Sequence, residues 1–150
     1  SVLMIAGAFA LLTAAMGDRT GTAIGLLVSA AGAVELHGAH LLREGETRAM
    51  RWLIASQFYL MAVILAYCAL RLLSFSPEFI DYALTPDLRA AFLQAGYAPE
   101  AMGELVRRIY YITYSVAAVV TVLYQGAIAL FYLRRREAVT QAIDATEAEA

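Results

Sequence analysis

The chain has 150 residues, of which 61% are hydrophobic and 16% charged, with a mean hydropathy of +0.65. A water-soluble domain of this length carries about 25% charged residues and about 45–50% apolar ones, so the composition indicates a membrane protein. A formal net charge of −2 and a pI near 5.6 leave no basic footprint for nucleic acid, and a single cysteine, Cys68, excludes a disulfide framework within the chain.

Crossing about 30 Å of hydrocarbon takes roughly 20 mostly apolar residues at about 1.5 Å each. The first apolar run, Val2 to Met16, is short and begins almost at Ser1, so residues before Ser1 are expected to be missing. No basic stretch precedes the run and it leads on to a second apolar segment, which argues against a cleaved signal peptide. Gly17-Asp18-Arg19-Thr20 reads as a tight polar turn, with the glycine suited to a helix C-cap.

The second segment runs from Thr22 to Leu42, followed by the charged connector Arg43 to Arg48. Gly21, Gly25, Ser29 and Ala33 recur every four residues along it, with Gly32 beside them. Between helices in lipid the hydrophobic drive is small, and small residues allow the close backbone approach that holds them together. The stripe is therefore a packing face, toward another helix of the chain or toward a second copy. His37, His40 and Glu44 share another face of this helix and are weak candidate metal ligands, a polar helix end being the simpler account of them. Both histidines lie on one helix, so a haem held between two histidines is not expected within one chain, and no cofactor is assigned.

The third segment is Trp52 to Leu73 and the fourth Ile109 to Leu133, closed by Arg134-Arg135-Arg136. Between them Ser76-Pro77-Glu78 and Thr85-Pro86-Asp87 each place a capping hydroxyl, an N1 proline and an early acid in helix-start order. Gly96 reads as a stop and Pro99 as a new start, with no breaker from there to Arg136. Residues 76–106 are thus expected to form short amphipathic helices that lie on the membrane surface or cap the bundle, and the fourth segment is expected to be one long helix. The acidic tail from Asp144 is expected to fray.

Three polar residues fall in one layer. Glu35 is eight residues before Arg43, Gln57 six after Arg51 and Gln125 nine before Arg134. Helical rise puts them roughly 12, 9 and 13 Å inside the same boundary. Ser56 and Tyr124 stand beside the layer. A carboxylate at such depth must be partnered, protonated or facing water, so the layer is either an interhelical clamp or a proton or cation site. Tyr110, Tyr111 and Tyr114, with Trp52, Phe131 and Tyr132, read as aromatic belts at the two interfaces. Arg71 is expected to pair with Glu78 or Asp81, or to snorkel.

The fold class read from the chain is all-α, a polytopic four-helix membrane bundle forming a single domain. Function divides between a homo-oligomeric channel or transport-type protein and a non-catalytic scaffold or regulatory subunit with a membrane-protein partner. An enzyme would rest on His37, His40 and Glu35 alone, without a recognisable catalytic motif. Membrane lipid is the one partner common to these readings. Six arginines flank one side (Arg43, Arg48, Arg51 and Arg134 to Arg136) and five the other, which places both termini in the cytoplasm of a cell-membrane protein. In a Cys68→Ser background, Ser1→Cys and Ala150→Cys are expected to react with an impermeant thiol reagent from the same side of the membrane. Labelling from opposite sides would refute an even number of spans.

Overall fold

In the computed structural model, residues 19–148 are described, and the run from Val2 to Met16 lies outside them. The described chain is helical throughout, in the order α1 (Arg19–Arg43), α2 (Ala49–Leu73), α3 (Glu78–Ala83), α4 (Pro86–Gln94) and α5 (Pro99–Ala148). Among the described residues three helices are long and apolar enough to cross a membrane, over Gly21–Arg43, Ala49–Leu73 and Pro99–Ala145. Arg19 and Thr20, expected in a turn, belong to α1. The tail expected to fray is helical as far as Ala148, since no proline or glycine follows Gly126 to stop it.

Local chemistry sets the helix ends. Gly45 (φ 76°) and Gly96 (φ 85°) are the two glycines with positive φ among the described residues, and each ends a helix. After α1, Glu46 N–H reaches Leu41 O (2.9 Å) and Gly45 N–H reaches Leu42 O (3.3 Å). After α4, Tyr97 N–H reaches Phe92 O and Gly96 N–H reaches Leu93 O, both at 3.0 Å. Both are Schellman motifs, in which a left-handed residue turns the chain so that the next amides meet the last free carbonyls. At the other end of α4, the Thr85 hydroxyl accepts from Leu88 N–H (3.4 Å) ahead of Pro86. Ser76 likewise accepts from Glu78 N–H (3.2 Å) at the start of α3. The hydroxyl expected at Thr85 thus acts as a helix cap, whereas the N-cap of α3 is Pro77, which has no side-chain cap.

At 50 residues, α5 is about 75 Å long, more than twice the thickness of the hydrocarbon. It starts at Pro99, as the absence of breakers predicts, and its excess length must lie outside the apolar layer.

The described chain forms two compact units. One takes in residues 19–65 and 121–148, the other Ala66–Val120. In the first unit α1 and α2 meet at Gly38, where an added Cβ would stand 3.0 Å from Leu53 Cγ and 3.1 Å from the Leu53 backbone nitrogen. Alongside, the His37 ring meets Trp52 edge-on at 5.3 Å. Gly21, Gly25 and Gly32 are buried, Ser29 is half-buried with its hydroxyl on Gly25 O (2.8 Å), and Ala33 is exposed. Each four-residue step turns about 40° past a full revolution, so the stripe rotates by about 120° between Gly21 and Ala33. In the second unit, Ile80 of α3 lies 3.9 Å from the position of a Cβ on Gly103 of α5, and Met102 and Leu84 are buried.

Backbone contact at Gly38 has a measurable consequence. Gly38→Ala requires Leu53, including its backbone nitrogen, to give by a few tenths of an ångström, and is expected to destabilise the protein by about 1–3 kcal/mol. Gly126, with nothing within 4 Å of a Cβ, provides the opposite case. There alanine should be neutral or gain up to about 1 kcal/mol through helix propensity. Thermal unfolding in detergent compares the two, and equal melting temperatures for both variants would refute the close contact.

Candidate functional site

The first unit holds the polar layer. Gln57 is 4% exposed, Gln125 7% and Ser56 1%, and these are the buried polar side chains among the described residues. Ser56 and Gln57 lie on α2, where successive side chains point about 100° apart, so both face inward only along a broadly covered side of the helix. The Ser56 hydroxyl donates to Leu53 O at 2.8 Å, a bond one turn back along its own helix. It also accepts from Gln57 Nε2 at 3.4 Å. Ser56 is therefore fully engaged, and Gln57 has one donor answered.

Gln125 differs. Its Oε1 is buried and accepts no hydrogen bond. Leaving a buried acceptor unmatched costs about 1–3 kcal/mol, which makes such atoms rare in native proteins and informative where they occur. Tyr124, the neighbouring residue on α5, is 63% exposed and turns to the outside of the chain. Glu35 is half-buried on α1. Among the described residues no hydrogen bond joins Glu35 to Gln57, Gln125 or Tyr124. Tyr132, read from sequence as part of an aromatic belt, is half-buried.

The histidine set does not converge. His40 Nε2 meets Glu44 Oε1 at 3.2 Å on the exposed surface, while His37 packs against Trp52. No group of three His, Cys, Asp or Glu side chains among the described residues is placed to hold a metal ion.

In the second unit, Tyr67, Tyr110, Tyr114, Phe75 and Phe79 form an aromatic cluster with ring centroids 4.7–5.9 Å apart. Tyr110, expected in a lipid-facing belt, is 6% exposed. Its hydroxyl donates to Arg71 O at 2.8 Å, supplying a donor to a last-turn carbonyl of α2 that has no partner within the helix. Beside it Ser74 answers Leu70 O with both its N–H (2.9 Å) and its hydroxyl (2.6 Å). Arg71 pairs with neither Glu78 nor Asp81. Asp81 takes Arg89 at 3.1 Å, and the Arg71 Nε donates to the Tyr67 hydroxyl at 3.1 Å.

No protein-family model, curated protein or solved structure matches the chain.

The unmatched carbonyl of Gln125 sets a stability test. Gln125→Leu removes an unsatisfied acceptor and is expected to leave stability unchanged or raise it by about 1 kcal/mol. Gln57→Leu removes the donor to Ser56 and should lower it by about 0.6 kcal/mol. Detergent-melt curves showing a loss above ~2 kcal/mol for Gln125→Leu would mean that the carbonyl is bonded after all.

Proposed function

We propose that the chain is a homo-oligomeric channel or transport-type protein of the cell membrane, with the polar layer as the point where a proton or cation passes. Four spans, both termini in the cytoplasm, and α3 and α4 lying as a cap at the outer interface complete the arrangement. The observation that carries the proposal is the buried, unmatched Oε1 of Gln125. A purely structural clamp would close on itself, as Ser56 does with Leu53 and Gln57. An acceptor without a donor suits a species that brings its own positive charge or hydrogen: a cation, a protonated carrier or a water in transit. The Glu35 carboxylate on α1, in the same unit, would supply negative charge to the same passage. Helices this few leave little room for a private pathway, so the passage is assigned to the contact between copies.

A second reading, a non-catalytic scaffold or regulatory subunit, has its own support in α5. Only 11% of the most apolar stretch of that helix is buried within the chain. Such a surface suits lipid or a membrane-protein partner.

Reconstitution separates the two. Proteoliposomes should dissipate an imposed proton, sodium or potassium gradient. Glu35→Gln and Gln125→Leu should each slow that flux about tenfold, the effect of losing roughly 1.4 kcal/mol in the rate-limiting step. Mass photometry in nanodiscs should give a mass above that of one chain. A monomer, or flux equal to that of empty vesicles for all three ions, would overturn the proposal in favour of the scaffold.

A further inference from the structure

Arg71 stands in the last turn of α2, two residues from the end of the apolar run at Leu73. A cation at such a depth ordinarily finds a carboxylate or reaches the headgroup layer. Of the five acids of its own unit, Asp81 is held by Arg89 at 3.1 Å and Glu104 by Arg108 at 2.6 Å, and Glu78, Asp87 and Glu100 form no ion pair with Arg71. Its partners are neutral. Nε donates to the Tyr67 hydroxyl, and the guanidinium carbon lies 5.3 Å from the centre of the Tyr67 ring. The Tyr67 ring is itself braced by Tyr114 at 5.9 Å, and the Arg71 carbonyl by Tyr110. The aromatic cluster therefore fixes the guanidinium through one edge, and among the described residues no carboxylate pairs with it.

We propose that Arg71, oriented by Tyr67, binds the phosphodiester of a membrane phospholipid. A guanidinium held through Nε presents its two terminal nitrogens as a fork, and a fork fits the paired oxygens of a phosphate. Position selects the lipid over a soluble anion. Leu70 and Leu73, on the same turn, are both exposed and offer apolar surface to the start of an acyl chain. Tyrosine-rich helix ends lie at headgroup level. The site is independent of the polar layer, since none of its residues belongs to the first unit.

Native mass spectrometry of the full chain in detergent, titrated with phosphatidylglycerol, tests the assignment. Arg71→Gln should weaken lipid binding about tenfold, as expected for loss of a charge-assisted, two-pronged contact. Tyr67→Phe keeps the ring and removes the hydroxyl that orients the guanidinium, so it should weaken binding about threefold. Arg108→Gln, whose charge is already met by Glu104, should change it less than ~twofold. Circular dichroism on each variant confirms folding, and Tyr67→Phe carries the test if Arg71→Gln fails to fold. Binding of wild-type strength in the folded Arg71 variant, or in Tyr67→Phe where that variant does not fold, would overturn the proposal. Displacement of the lipid by millimolar inorganic phosphate would reassign the site to a soluble anion and overturn the lipid.

Discussion

Hydrocarbon offers no partner to a peptide N–H or C=O, and each one left bare there costs several kcal/mol. In a chain this apolar the backbone must satisfy itself, and the helix is the local way to do so. The same constraint reaches the ends of the helices, where the ladder leaves carbonyls over. Gly45 and Gly96 fold the chain back so that following amides answer them, while Ser74 and Tyr110 bring hydroxyls to the end of α2. Four different residues thus solve one electrostatic problem.

Once the backbone is satisfied internally, little hydrophobic force remains to hold one helix against another in lipid, and contact depends on how closely they approach. Gly38 lets Leu53 come so close that a methyl group there would stand only 3.0–3.1 Å from it, tighter than ordinary contact. Burial of Gly21, Gly25 and Gly32 follows the same logic on another side of α1, roughly a third of a turn or more away. Two sides of one helix are therefore lined with small residues, while Leu26, Leu36 and Ala33 point outward.

That logic also marks what could be read without coordinates. Helix starts at Ser76 and Thr85 and the stop at Gly96 were legible because capping depends on residues within one turn. The length of α5 was legible because nothing in the sequence interrupts it. Three long apolar helices followed from composition and run length, whereas the first run, Val2 to Met16, lies outside the described residues. Long-range pairings were less accessible. Gly38 does not stand in the four-residue series, and only its approach to Leu53 gives it meaning. Ala33 does stand in the series, yet the helical drift carries it to the exposed side. Tyr110 and Arg71 are 39 residues apart, so no local pattern could show that a tyrosine assigned to a lipid-facing belt would cap α2. At the polar layer the burial of Gln57 and Gln125 and the outward turn of Tyr124 depend on rotation about each helix axis, which spacing from the helix ends does not specify.

Where lipid cannot satisfy a polar group, the kind of group left over states what its partner must be. Gln57 donates to the Ser56 hydroxyl, which in turn donates to Leu53 O. The Gln125 Oε1 has only lone pairs to offer, so whatever meets it brings a hydrogen or a positive charge. A carboxylate or phosphate could not settle there without repulsion. Arg71 is the reverse case: it has only donors to offer and a charge that no neighbouring acid takes up, so its partner brings oxygen and negative charge. The two groups call for partner groups of opposite character, and each lies in a different compact unit of the chain. Sign alone therefore assigns them different work. A neutral acceptor can release a cation readily, which suits passage, whereas a fixed guanidinium holds a phosphate by paired charge-assisted bonds, which suits anchoring.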